Sequence, residues 1–267
     1  MASPRNIRVL LSYDGSRFFG WQRQAGFPSV QQALEEAIED LCGELIRVYG
    51  SGRTDAGVHA LGQVASFRLD AAMADDRLRH ALNAHLPPGV VIRRLETCAD
   101  DFNALHSARA KRYLYLTATQ RFRPPFGEQY SHWVNSPLER SAMLEAARLL
   151  VGTHDFRAFG NAGSPRKTTV RTVHSLRIIA RRERMAFVIQ GSGFLYNMVR
   201  TIAGTLIDVG RGRLDPQCVS RALETGERTQ AGPTAPAAGL YMLRVLYDEP
   251  VFRGPDRGPR GAPGLIP

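Results

Sequence analysis

Gly52-Arg53-Thr54-Asp55-Ala56-Gly57-Val58-His59-Ala60 sets one carboxylate in a glycine-rich run, with Gly50 just upstream and an arginine two residues before the aspartate. Glycine lets a backbone bend sharply and lets a second molecule come close to it. A guanidinium beside a carboxylate favours the ionised form, or it grips a phosphate through two parallel hydrogen bonds. Leu45–Tyr49 before the run and Gln63–Leu69 after it read as strands, so the aspartate sits on a loop between two strands. Taken alone, such a loop has a plain alternative: a turn in which Asp55 hydrogen-bonds its own backbone.

Upstream, Ile7–Tyr13 reads as a strand running into the loop Asp14–Phe27. Ser29-Val30-Gln31-Gln32 is a capping box, with Gln32 expected to reach back to the cap amide. Val30, Ala33, Leu34, Ala37, Ile38 and Leu41 then form one apolar stripe at helical spacing, which Gly43 ends. A second helix is expected from Asp76 to Leu86, stopped by Pro87-Pro88, and Val90–Glu96 is a further strand. The second half repeats this order. Lys111–Ala118 is a strand, Ser136-Pro137-Leu138-Glu139 opens a helix reaching Leu150, and Thr172–Ile179 and Met185–Gln190 alternate as a hairpin pair does. A helix from Leu195 to Val209, a short one after Pro216 and a strand at Leu240–Tyr247 complete the order. Each half thus reads as β-α-β-β-α-β, the split βαβ arrangement, in an α+β fold whose halves join their sheets and leave a cleft between them. The expected subdomains are 1–104 and 105–247. From Asp248 the chain loses periodicity and fills with Pro, Gly and Arg, which predicts a disordered tail over 248–267 in which Arg253, Arg257 and Arg260 are solvated.

A net charge of +10 over 267 residues points to a polyanionic partner, nucleic acid being the commonest. Only Lys111 and Lys167 among the 35 basic residues are lysines. Arginine suits phosphate forks and base stacking, although a codon bias accounts for the same skew. Cys42, Cys98 and Cys218 are far apart and odd in number, which argues against a disulfide framework and fits a reducing cytosol. No window has the length of a membrane span and the N-terminus lacks a signal-peptide core, so a soluble cytoplasmic protein is expected. The histidines show no metal spacing; neither a metal nor an organic cofactor is expected.

Beyond the Asp55 run, four further segments matter together: Tyr13-Asp14-Gly15, Gly20-Trp21-Gln22-Arg23-Gln24, Met198-Val199-Arg200 and Thr234-Ala235-Pro236. With it, in this order from about Ile7 to Tyr247, they resemble the tRNA pseudouridine synthase A family. The resemblance implies a pseudouridine synthase fold, with a mixed, mostly antiparallel sheet and a central basic cleft. It also implies a homodimeric enzyme, with tRNA as partner, that isomerises uridine at positions 38, 39 and 40 of the anticodon stem-loop.

That reaction breaks a glycosidic bond, turns the uracil and rejoins it through C5, so the base must first leave its stack. An aspartate near C1′ or C6 serves as nucleophile or as electrostatic partner. Asp55 matches the family's catalytic aspartate. Arg53 either orients Asp55 or fills the space left by the flipped base while touching phosphate. Tyr113 and Tyr115 share one face of a strand, which by itself is an amphipathic strand with packed tyrosines; the resemblance matches Tyr113 to the tyrosine that stacks on the target base. Arg200 projects away from the apolar arc of its helix, with Gly204 one turn on clearing room beside it. The resemblance makes it the ion-pair partner of Asp55. Where relatives often carry histidines before Met198, Tyr196 and Asn197 stand here, and they are assigned no chemistry. Arg17-Phe18-Phe19-Gly20-Trp21-Gln22-Arg23 interleaves rings and cations as RNA-facing loops do, which makes Arg23 a candidate RNA contact. Lys167, with Arg166 and Arg171, is a second. Two other functions compete: an RNA-binding protein that has retired its chemistry, and a hydrolase with Asp55 as nucleophile. The second lacks the paired aspartates or metal ligands of phosphoryl chemistry. The joint presence of Asp55, Tyr113, Arg53 and Arg200 separates an active enzyme from a retired one.

Overall fold

In the computed structural model, which describes residues 4–70, 72–161 and 168–254, strand β1 (Arg5–Tyr13) lies between two antiparallel neighbours, β3 (His59–Leu69) and β4 (Val90–Thr97). The far edge of β3 is shared. Its C-terminal part pairs antiparallel with β2 (Tyr49–Gly50), and its first residues, His59 and Ala60, pair in parallel with Tyr241 and Met242 of β10 (Leu240–Leu246). Helices α1 (Val30–Cys42) and α2 (Asp75–His85) complete this unit, which draws on residues up to Arg109 and from Tyr241 onward. The last strand, expected with the second subdomain, therefore pairs in the first.

Local rules explain α1. Ser29 Oγ accepts from the Gln32 amide, Gly43 closes the helix at φ 73°, and Val30, Leu34, Ala37 and Ile38 are buried. The reciprocal half of the capping box does not form: Gln32 Nε2 donates instead to Glu36 Oε1, one turn on, at 2.7 Å. The strand expected over Leu45–Tyr49 shrinks to Tyr49–Gly50. Val48 uses its backbone elsewhere, its N–H donating to Glu35 Oε1 at 3.1 Å and its carbonyl accepting from Gln31 Nε2 at 3.1 Å. These two polar side chains are buried on α1, and each is satisfied there.

The second unit, Ala110–Leu240, orders its strands β5-β9-β8-β7: β5 (Ala110–Ala118), β9 (Arg184–Gly191), β8 (Val170–Arg181) and β7 (Gly152–Asp155), all antiparallel. A two-residue strand, β6 (His132–Trp133), lies parallel to β5. Helix α3 (Arg140–Leu149) begins later than expected, because Glu139 rather than Ser136 caps it, its side chain accepting from the Ser141 amide. Helices α4 (Met198–Gly210) and α5 (Cys218–Thr225) follow. The expected α+β class, mixed sheet and short helix after Pro216 (α5) are present, with β6 and β7 added to the expected order.

Part of the expected disordered tail is structured. Asp248 pairs with Arg109 at 2.8 Å, and the Phe252 ring lies 5.5 Å from the Arg8 guanidinium and 5.4 Å from that of Arg94. The Arg253 amide donates to Glu96. An aromatic ring between two cations is attraction enough to overcome a Pro- and Gly-rich composition over this short stretch. Arg257 and Arg260 lie outside the described residues.

A Cβ added at Gly204 would stand 1.8 Å from the Pro233 carbonyl oxygen, so α4 rests directly on the 233–235 backbone. In an isolated helix, Gly→Ala stabilises by about 1 kcal/mol. Here overpacking against rigid backbone should win, with Gly204→Ala losing at least about 2 kcal/mol in urea unfolding. A variant as stable as the parent would contradict this packing.

Candidate active site

The Asp55 loop joins β2 to β3, and a buried polar network holds both of its flanks. Ser51 Oγ donates to Gln63 Oε1 at 2.6 Å, and Gln63 Nε2 donates to the Gly52 carbonyl at 2.9 Å. The hydroxyls of Tyr13 and Thr54 are 2.8 Å apart. Ser51, Thr54, Gln63 and Tyr13 are all buried, so these bonds replace water the groups cannot reach. Within the loop, the Val58 amide donates to the Asp55 carbonyl and Gly57 takes φ 78°, a tight turn that needs its glycine. Asp55 is half-buried and Arg53 exposed.

A second loop braces the first. The Trp21 amide donates to the Thr54 carbonyl at 3.0 Å, and the Gly57 amide to the Phe18 carbonyl. A Cβ at Gly15 would lie 2.1 Å from the Val58 oxygen, and one at Gly20 2.5 Å from the Thr54 oxygen. Gly15 and Gly20 are thus required as glycines by close backbone approach. Below them, His59 is buried and stacked on Tyr241 at 4.7 Å, and its Nδ1 accepts from the Gly15 amide at 3.0 Å. That bond assigns the ring its lone pair at Nδ1. Tyr13-Asp14-Gly15 stands out in the sequence as a motif, but the supporting roles of Tyr13, Thr54, Gln63 and His59 emerge only from the fold. The usable signal was polar residues standing inside strand patterns.

Arg23, a candidate RNA contact, is partly exposed and holds the buried carboxylate of Glu35 at 3.1 Å. Its guanidinium offsets a charge that α1 could not otherwise bury. Trp21 is 3 % exposed, with the Gly50 backbone packed on its indole, which makes it core.

In the second unit, Tyr113 is buried on β5 and meets Phe194 edge-on at 5.2 Å. Tyr115 on the same face is fully buried; its hydroxyl donates to the Pro236 carbonyl at 2.9 Å, and burial pushes its ionisation well above the usual tyrosine range. Arg200 is half-buried near the start of α4. Its Nε donates to the Ala235 carbonyl at 2.8 Å and its Nη1 to Asn197 Oδ1 at 2.9 Å, while its own carbonyl accepts from the Ala235 amide. The room expected beside it at Gly204 is filled by Pro233. Arg171 donates to the carbonyls of Thr168 and Val170. Lys167 and Arg166 lie outside the described residues. Among the described residues, no group of three or more His, Cys, Asp or Glu side chains converges as a metal site.

A family model described as tRNA pseudouridine synthase matches residues 10–105 and 146–248. A tRNA pseudouridine synthase A of Acetivibrio thermocellus is 41 % identical over 243 residues, covering 91 % of this chain and all of that protein. Namesakes from Geobacillus kaustophilus and Syntrophotalea carbinolica are 43 % and 44 % identical, over 92 % and 90 % of this chain and 95 % and 96 % of theirs.

If the network anchors the loop, Tyr13→Phe should cost about 1–2 kcal/mol by stranding Thr54, and Gln63→Leu more, because Ser51 and Gly52 both lose a bond. Urea unfolding checks both. Burial pushes the Tyr13 phenol from 10.0 up to about 12. The fold favours its neutral form, so that contribution is whole below pH 10 and is lost as pH rises through about 12. Tyr13→Phe should flatten this alkaline limb.

Proposed function

Because the chain belongs to the tRNA pseudouridine synthase family, isomerases that act on tRNA uridines, we propose that it converts uridine to pseudouridine at positions 38, 39 and 40 of the anticodon stem-loop, with Asp55 as the catalytic residue. The observation that supports Asp55 most is its setting: a half-exposed carboxylate on a loop whose flanks are pinned by Gln63, Thr54 and Tyr13. A nucleophile or charge partner lowers a barrier only when its position is set beforehand.

In this reading the target uridine leaves its stack and its C1′ or C6 comes to the Asp55 carboxylate. The glycosidic bond breaks with its electron pair left on N1, and the uracil turns. C5 then bonds to C1′ and releases its proton to solvent, and N1 takes one up, so that the product is an isomer of the substrate. Arg53, exposed beside Asp55, either orients the carboxylate or fills the vacated space against phosphate. Tyr113 stacks on the base, and Arg200 supplies the counter-charge that keeps Asp55 ionised. Arg23 and Lys167 contact the RNA backbone. The assignments of Tyr113, Arg200, Arg53, Arg23 and Lys167 rest on the family's motifs.

The protein acts as a homodimer in the cytoplasm. Three unpaired cysteines suit a reducing compartment, and two of them, Cys98 and Cys218, have thiols pushed up to about 11 by burial, which makes them poor nucleophiles. No helix among the described residues is long and apolar enough to cross a membrane.

Asp55→Asn keeps shape and removes charge. Release of tritium from C5-labelled uridine in tRNA should fall by about four orders of magnitude while tRNA binding is retained. Residual release at a tenth of the normal rate would overturn the assignment. Parent protein that binds tRNA yet releases nothing favours the retired-enzyme reading. Tyr113→Phe should shift affinity by less than about 1 kcal/mol, with turnover dropping sharply only if the hydroxyl moves a proton. Binding should also weaken with salt, at a log–log slope on the order of −3 to −6.

A further inference from the structure

The loop that braces Asp55 turns two large rings outward. Phe19 is 50 % exposed and Phe27 48 %, with centroids 4.6 Å apart and planes inclined at 45°. The backbone beneath them is fixed: the Phe19 amide donates to the Pro28 carbonyl at 2.8 Å, Gln24 Nε2 donates to the Phe19 carbonyl at 3.0 Å, and Gln24 bridges Phe27 as an isolated antiparallel pair. A concavity of about 660 Å³ lined by Arg23, Gln24, Phe27, Pro28 and Gln32 adjoins the pair. The partly exposed guanidinium of Arg23, at 41 %, borders it. Paired aromatic rings held in water on a rigid loop mark a contact surface rather than a spare piece of core.

We propose that Phe19 and Phe27, with Arg23 beside them, form a stacking platform for an unpaired nucleotide of the RNA substrate, separate from the uridine that reacts at Asp55. Charge decides for RNA: the rings sit beside the Arg23 guanidinium on a chain of net charge +10, where a polyanion is drawn in and a base finds an apolar face. A second copy of the chain fits less well, because stable dimers bury roughly 1,200–2,000 Å² and two half-exposed rings supply a small part of that. The position also favours a substrate contact. Phe18 and Gly20, on either side of Phe19, both touch the loop that carries Asp55. This inference rests on the tRNA-modifying reading and extends it to how the RNA is held.

The test is the full-length Phe19→Ala/Phe27→Ala double variant, assayed with unmodified tRNA transcript by tritium release and by filter binding. Loss of stacking should raise KM and Kd on the order of tenfold. The single-turnover rate at saturating enzyme should stay within about twofold, and thermal unfolding should be near that of the parent. Phe19→Tyr/Phe27→Tyr, which restores the rings, should recover both constants. An unchanged Kd in the alanine variant overturns the platform. So does a variant that turns monomeric by sedimentation with unaltered affinity, which assigns the rings to a second copy. If the parent itself releases no tritium, the isomerase reading fails, and Kd still reports on the platform independently.

Discussion

Backbone lying against backbone is the constraint on which the site depends. A half-exposed carboxylate keeps its aim only if the chain beneath it cannot shift, and here the 14–21 loop comes closer to the Asp55 loop than any side-chain packing would allow. The glycines at 15 and 20 make that approach possible, each facing a carbonyl oxygen that a Cβ would strike. The Gln63, Tyr13 and Thr54 network holds the other side of the same loop. The glycine contact is steric and one-sided, and the polar network supplies the direction.

Much of the frame was legible because it obeys local rules. β1, α1, β3 and β5 announce themselves through alternation, helical spacing and caps. The motif around Asp55 was legible as a motif, and its glycines foretold close approach. What stayed hidden was set by residues distant in sequence. Gln63 reads as a polar interruption of a strand until its bonds to Ser51 and Gly52 are known. Leu45–Val48 has strand composition, but Gln31 and Glu35 on α1 claim the backbone of Val48. Arg23 reads as an RNA contact, and its added partnership with buried Glu35 is not legible from spacing. β6 and β7 are too short to show a period, and the Phe252 contacts lie in a stretch whose composition argues for disorder.

The second unit uses the same device in another form. Ala235 exchanges hydrogen bonds with Arg200 in both directions, its amide to the arginine carbonyl and its own carbonyl from the guanidinium. The Thr234-Ala235-Pro236 segment was recognisable as a pattern, yet its work, clasping one arginine by backbone and side chain at once, required the contact at Gly204 to bring the segments together.

The parallel pairing of Tyr241 and Met242 with His59 and Ala60 sets an order of events during synthesis. The segment Ala110–Leu240 is continuous and leaves the ribosome whole, free to collapse on contacts of its own. The unit bearing Asp55 is interrupted by it. Its strand β3 waits with the edge at His59 unpaired until Tyr241 and Met242 emerge, although its own sequence was made long before. A chain that stalls short of Tyr241 therefore carries the complete Asp55 motif and lacks the neighbour on which His59 stacks, so the site is assembled only after Tyr241 has been made.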